Sequence, residues 1–248
     1  MKKLLSLVIA LIMVCSMATA MADKLVMSTE AGFPPYEYYE GSEAVGIDMD
    51  IARAIGEKLG LEVVIEDMEF DAINESVKSG KSDVGFGGMT VTPERAEIID
   101  FTTSYATGVQ VVIVAEGSSI TSVDALFAEG TNAIIGVQRN TTGDLYTTWD
   151  LEDAGLATID RYSKGADAVQ ALVAGKVDCV VIDNEPAKAF VAENEGLVIL
   201  ETAYALEDYA ASVSKNNPEL YAAINGALEE LIADGTVAAI VEKYIPAA

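Results

Sequence analysis

The sequence predicts an α/β fold built as two lobes, and three features of its pattern carry that reading. Short apolar runs of strand character alternate with segments of helical period. The alternation halts at an extended, almost wholly apolar run at residues 108–115 and then starts afresh, and the chain closes on a strand followed by two helices. Such alternation is what a parallel sheet covered by helices on both faces requires.

Taken in order, Lys24 to Ser28 is the first strand. After a turn-rich stretch, Asp48 to Leu59 reads as a helix, with Ile51, Ile55 and Leu59 on one face. A strand at Leu61 to Glu66 follows, then a helix marked by Phe70, Ile73 and Val77, and a third strand at Asp83 to Phe86. Thr92-Pro93 opens a short helix, with a capping hydroxyl and proline at the first helical position. Past the extended run, Ala133 to Val137, Ala157 to Arg161, Asp178 to Ile182 and Leu197 to Leu200 are strands, separated by helices near Asp144, Gly165 and Glu185. The last strand spans Tyr209 to Ser214, and helices at Pro218 to Ala233 and Thr236 to Tyr244 end the chain. If that tail packs on the first lobe, the chain crosses between lobes twice, near 107–112 and 202–208. The expected layout is therefore 23–107 in lobe one, 108–206 as hinge strand and lobe two, and 207–248 as hinge return and the rest of lobe one.

Residues 1–22 read as a secretory leader: Lys2 and Lys3, an apolar run from Leu4 to Val14, and Ala20-Met21-Ala22 favouring cleavage before Asp23. The alternative is lipidation at Cys15, against which bulky Val14 stands where processing wants a small residue. The protein is thus expected to be secreted, to the periplasm or the outer face of the cytoplasmic membrane. Losing the two lysines takes the formal charge from −25 to −27. A chain this acidic lacks the basic surface that a phosphate backbone needs, which excludes nucleic acid as a partner and disfavours anionic lipid. With Cys15 removed only Cys179 remains, so no internal disulfide forms, and its apolar surroundings mark it as a core residue. An apolar content of 51% is ample for the core of two lobes.

The chain has no histidine, so triad and thiol–imidazole chemistry are absent and imidazole metal sites with them. Asp48-Met49-Asp50 lacks the rest of a calcium loop, Gly80-Lys81-Ser82 lacks the upstream glycine of a phosphate loop, and Gly85-Phe86-Gly87-Gly88 lacks dinucleotide spacing. No cofactor and no metal are expected. The informative segment is Gly87 through Arg95, where glycines expose backbone amides and an arginine sits in the first turn of a helix. A cation there opposes the helix dipole and asks for an anion. Beside Gly88 and Thr90, a guanidinium makes a carboxylate receptor. Asn140-Thr141-Thr142-Gly143-Asp144 opens a helix in the second lobe and is either a second anion receptor or a plain cap. Asp183 ends a strand at the edge where open α/β sheets hold ligands, or simply caps the next helix.

These residues resemble a known family. Thr29 to Tyr36, Val45 to Asp50, Phe70-Asp71-Ala72, Thr90 to Arg95, Gly136 to Thr142 and Asp178 to Asp183, in this order, are similar to the amino-acid-binding proteins of polar amino-acid ABC importers, the kind that bind lysine, arginine, ornithine, histidine or glutamine. The resemblance implies the type II periplasmic binding fold, two α/β lobes on a two-strand hinge, working as a monomer that delivers a free L-amino acid to a membrane permease. It also implies roles. Arg95 grips the ligand's α-carboxylate with Thr90 and the amide of Thr142. Asp183, Gly88 and Thr90 hold the α-ammonium, and Phe33 and Phe70 sandwich the side chain. Glu30 meets the distal end of a cationic side chain, and Met89 and Thr141 fall among the ligand contacts. Asn140, where the family has glycine, and Gly143 depart from the pattern and put side-chain contacts from lobe two in doubt. Asp48 and Asp50 read as structural, capping their helix. The same resemblance admits a cyclohexadienyl dehydratase-like enzyme, for which no added acid or base is seen, and a module that senses the ligand for a receptor.

Overall fold

The computed structural model describes residues 23–246; the leader read at 1–22 lies outside them. Strand β1 (Lys24–Thr29) is flanked by β4 (Glu62–Asp67) and β5 (Val84–Gly85), both parallel to it. Two more strands, β6 (Asp100–Phe101) and β13 (Ser212–Val213), complete the first sheet in the order β4-β1-β5-β13-β6. Helix α1 (Ile47–Leu59) buries Ile47, Ile51 and Ile55, and α2 (Phe70–Ser79) buries Ile73 and Val77, the spacings that the 3.6-residue period sets on one face. Short helix α3 (Pro93–Ile98) starts as expected, with the Thr92 hydroxyl accepting from the Arg95 amide at 3.2 Å and Pro93 in its first turn.

The second sheet runs β11 (Leu197–Ile199), β7 (Ala106–Ala115), β10 (Cys179–Asp183), β8 (Ala133–Gln138), β9 (Ala157–Tyr162). Helices α4 (Thr142–Thr147), α5 (Gly165–Val173) and α6 (Asn184–Glu193) connect and cover these strands. Val112, Val114, Ile135, Val137, Cys179 and Val181 form the core on one side of this sheet. Cys179 is completely buried there, and burial pushes its thiol up to about 12.

The sheets are mixed rather than wholly parallel. Strand β12 (Ala205–Tyr209) lies antiparallel to the first half of β7, Ala106 facing Tyr209 and Gln110 facing Ala205. The second half of β7 runs antiparallel to β10 and β11. The reason is topological: the chain leaves lobe one along β7 and returns along β12, so the two segments must run in opposite directions. They pair as a two-strand ribbon, and we place the lobe boundaries within it, at 107/108 and 206/207. The strand expected from Tyr209 to Ser214 is divided, because the chain changes sheets at Ala210 and Ala211: β12 pairs with β7, β13 with β5 and β6. A small hairpin of β2 (Tyr38–Glu40) and β3 (Glu43–Val45) occupies the turn-rich stretch.

Helices α7 (Pro218–Ala233) and α8 (Thr236–Tyr244) return to lobe one and pack on α1. Ile224, Leu228 and Leu231 are buried, and the Tyr244 hydroxyl donates to Asp50 Oδ2 at 2.9 Å. Asp48 differs from expectation. The residue at the N-cap is Gly46, and Asp48 accepts from the Gly88 amide at 2.9 Å, fully buried, so it holds the glycine turn and not its own helix end.

Gly46 has φ 129°, and a Cβ there would collide with the Tyr36 carbonyl and sit 2.9 Å from that of Pro35. Gly46→Ala is expected to cost about 2–3 kcal/mol and to lower the melting temperature by roughly 4–10 °C; an unchanged thermal melt would contradict this account of the turn.

A candidate ligand crevice between the lobes

The C-terminal ends of β1, β5, β8 and β10 converge where the lobes meet, the edge at which open α/β sheets place ligands. A nearly closed crevice, with an open volume of only ≈ 10 Å³, lies there, lined by Glu30, Phe33, Glu37, Phe70, Gly87, Gly88, Thr90 and Arg95 from lobe one and by Gln138, Thr141, Thr142 and Asp183 from lobe two.

Arg95 is the central cation. It is 8% exposed, and burial lowers its pKa. Its Nη1 donates to the Thr90 carbonyl and its Nη2 to the Asn140 carbonyl across the crevice, both at 2.8 Å, and its guanidinium lies 5.5 Å from the centre of the Phe70 ring. Among the described residues it forms no ion pair. A guanidinium has five N–H donors, so this one keeps donors free for an anion. Opposite it Asp183 is also buried, accepting from the Tyr209 hydroxyl. Burial, reinforced by the Glu207 charge, raises its pKa to about 7.

Gly88 adopts φ 51°, a turn that glycine takes without strain. With Asp48 on its amide, this places the Gly87–Gly88 backbone against Phe33. Phe33 is buried and Phe70 half-buried on the crevice wall. Met89 does not line the crevice. Along this extended backbone its side chain turns away from its neighbours' face into the core, where Sδ receives the Asn74 amide at 3.7 Å, and its carbonyl is taken by the Ala210 amide.

In lobe two, the Thr141 hydroxyl caps α4 through the Asp144 amide and donates to the Gln138 carbonyl at 2.7 Å. The departures from the expected pattern have physical reasons. Asn140 has φ 60°, a conformation asparagine tolerates better than most residues, and its carbonyl rather than its side chain reaches Arg95. A Cβ on Gly143 would stand 2.9 Å from the Val181 carbonyl oxygen, so this position takes no side chain.

The crevice is strongly acidic. Glu30 is buried and its pKa raised by burial; Gln138 Nε2 donates to its Oε2 at 3.4 Å, Lys164 lies 3.7 Å from its Oε1, and that Oε1 has no hydrogen-bond partner. Glu37 lies deeper, beside Asp48. Burial raises both, Asp48 to about 6 and Glu37 well above its ordinary value, while Asp48 Oδ2 accepts from the Gly88 amide. Gln138 and Glu37 were missed in the sequence. Gln138 ends a strand just before the Asn140–Thr142 motif, a position that could have revealed it, whereas nothing local marks Glu37. A third residue missed, Glu207, sits buried on the hinge strand β12 and accepts from Thr90 Oγ1 at 3.0 Å and from Gln110 Nε2 at 3.1 Å. Among the described residues no cluster of three or more metal-ligating side chains is present, and no helix is long and apolar enough to cross a membrane.

Two lobes on a two-strand ribbon, with a buried cation and a buried acid lining the crevice between them, are the architecture of a solute-binding protein. Residues 25–247 match the family model of bacterial extracellular solute-binding proteins, family 3, and the chain belongs to that family. Its members are binding proteins placed outside the cytoplasm. The chain is 31% identical to the L-arginine-binding protein of Pseudomonas aeruginosa, over 98% of this chain and 96% of that one. It is 29% identical to the arginine-binding extracellular protein ArtP of Bacillus subtilis, over 89% and 86%. Among solved structures, an ancestral arginine-binding protein bound to arginine is 38% identical and superposes with a TM-score of 0.83, covering 90% of this chain and 99% of the other.

A carboxyl group with a raised pKa favours the native state only while protonated. For Asp183 and Asp48 that contribution is complete below about pH 4 and is lost as pH rises through about 6 to 7. Ligand-free protein is therefore expected to melt higher near pH 5 than near pH 8, with Asp183→Asn flattening the profile; a profile unchanged in the variant would remove Asp183 from this role.

Proposed function

We propose that this protein is the solute-binding component of an ABC importer and that it captures a free L-amino acid with a cationic side chain, L-arginine foremost. The observation that carries the reading is Arg95: a buried guanidinium with free donors and no ion pair, facing a buried Asp183 on the other lobe. Together they match the two charges of an α-amino acid. Arg95 takes the α-carboxylate, with the Thr142 amide and hydroxyl, while Asp183, the Gly88 carbonyl and Thr90 take the α-ammonium. Binding the ammonium ionises Asp183, which burial otherwise holds near neutrality.

The side chain then runs between Phe33 and Phe70 toward Glu30. A guanidinium or ammonium there meets the Glu30 Oε1 that lacks a hydrogen-bond partner, and the remaining excess of acid in the crevice disfavours anionic side chains. The names of the relatives, arginine-binding in both sequence comparisons above, support the same choice. The chemistry calls for binding and release without turnover. Each lobe supplies half of the head-group site, so the ligand stabilises the closed form, and closing about the β7–β12 ribbon presents a single surface to the permease. We place the protein outside the cytoplasmic membrane, delivered there by its leader.

Two measurements test this. A cationic amino acid at about a hundred times its dissociation constant stabilises the folded form by roughly 2.7 kcal/mol, so L-arginine should raise the melting temperature by several degrees; a shift confined to large apolar amino acids would refute the ligand class. Arg95→Ala removes one side of a buried charge contact worth roughly 2–5 kcal/mol, and calorimetric affinity should fall tens-fold to thousands-fold. Undiminished binding would take Arg95 out of the site.

A further inference from the structure

The hinge ribbon carries two buried polar side chains that stand behind the crevice wall, close to Asp183. Glu207 on β12 is 5% exposed and Gln110 on β7 is fully buried. They are diagonal neighbours across the antiparallel ribbon, Glu207 facing Gly108 and Gln110 facing Ala205. Their hydrogen bonds reach both lobes. Thr90 Oγ1, from lobe one, donates to Glu207 Oε2 at 3.0 Å; Gln110 Nε2 donates to the same oxygen at 3.1 Å and lies 3.3 Å from Thr142 Oγ1, from lobe two.

The directions of these bonds follow from chemistry. An ionised carboxylate only accepts, and a hydroxyl has one proton to give. Thr90 spends its proton on Glu207, so its oxygen offers only lone pairs to the crevice. The same carboxylate turns the Gln110 amide so that nitrogen faces it, and that nitrogen is then also the group facing Thr142. The Thr142 oxygen therefore accepts from Gln110, and its own proton is left to point elsewhere. Thr90 is 4% exposed and Thr142 3%, so bulk water does not compete to scramble the chain.

We propose that Glu207, with Gln110, is a positioning residue that fixes the polarity of the two ligand-facing hydroxyls: Thr90 is set as an acceptor, suited to the ammonium of an α-amino acid, and Thr142 as a donor, suited to its carboxylate. The inference rests on the amino-acid reading of the crevice and adds to it a cause for preferring the amino group that Asp183 alone does not supply. It also gives the hinge a part in recognition. Thr90 is tied to β12 by a backbone bridge to Tyr209, and Gln110 pairs with Ala205 across the ribbon, so the chain Thr90–Glu207–Gln110–Thr142 links the two lobes through the hinge itself. Glu207 keeps this arrangement although its Oε1 is buried without a hydrogen-bond partner, with Asp183, the Tyr146 and Tyr209 phenols and Arg95 as its other polar neighbours.

The test compares calorimetric affinities for L-arginine and for 5-guanidinopentanoate, the same molecule without its amino group. Wild type should prefer L-arginine. Glu207→Met, which removes the acceptor and frees the Thr90 proton, should shrink that preference by about ten-fold or more. Glu207→Gln, whose carbonyl still accepts from Thr90, should restore most of it. An undiminished preference in Glu207→Met overturns the proposal, and so does an equal loss in Glu207→Gln, which would show that the charge and not the hydroxyl's direction matters. If Glu207→Met does not fold, Thr90→Val examines the same hydroxyl: it should lose the preference to a similar degree, and a preference kept intact overturns the proposal. A wild-type protein that binds neither compound defeats the amino-acid reading itself, a result separate from any of these.

Discussion

Burying a guanidinium strips it of water, and the cost is tolerable only if its donors find partners. At Arg95 the protein supplies two backbone carbonyls, one from each lobe, and an aromatic face, but no carboxylate. Much of the surrounding structure follows from that choice. The Thr92 cap and Pro93 fix the start of the short helix that carries it, the Gly87–Gly88 turn brings backbone and hydroxyl beside it, and Asn140 bends to present its carbonyl from the other lobe. A full ion pair here would have left the cation little affinity to offer a ligand.

The acids answer the same constraint from the other side. Asp183, Glu30, Glu37 and Asp48 are buried with few cations to offset them, and burial pushes all four up. These acids gather around the crevice, and their pairings differ in kind. Asp48 stabilises a glycine turn. Glu37 lies beside it and faces its charge. Asp183 and Glu30 line the crevice, and Glu30 Oε1 has no hydrogen-bond partner there, which suits the positive groups of the proposed ligand. Tyr209 links this region to the hinge: its hydroxyl donates to Asp183, and its ring lies where a side chain on Gly108 would be, so glycine at 108 and tyrosine at 209 belong together.

Most of the fold was legible because its signals are local. Both terminal helices begin and end where the sequence placed them, since Pro218, Gly235 and the stripe at Ile224, Leu228 and Leu231 are signals carried within a few residues. Sheet direction was not legible, because the antiparallel course of β7 and β12 depends on which segments meet in space. The site shows the same division. Arg95, Thr90 and Asp183 stand at strand ends or helix starts, where the sequence marks position and chemistry together. Met89 shares their segment, but its direction depends on how the backbone turns after Gly88. Glu207 and Gln110 were not singled out: Glu207 sits among alternating residues where an acid reads as solvent-facing, and Gln110, an amide inside an almost wholly apolar run, gives no sign of its partner until β7 and β12 pair.

The most direct test of the account is a crystal structure of the protein grown with L-arginine. The account places the ligand's carboxylate on Arg95, its ammonium between Asp183 and Thr90, and its guanidinium at Glu30, with both lobes in contact. A ligand lying with its head group reversed, held by one lobe alone, or seated outside this crevice would contradict it.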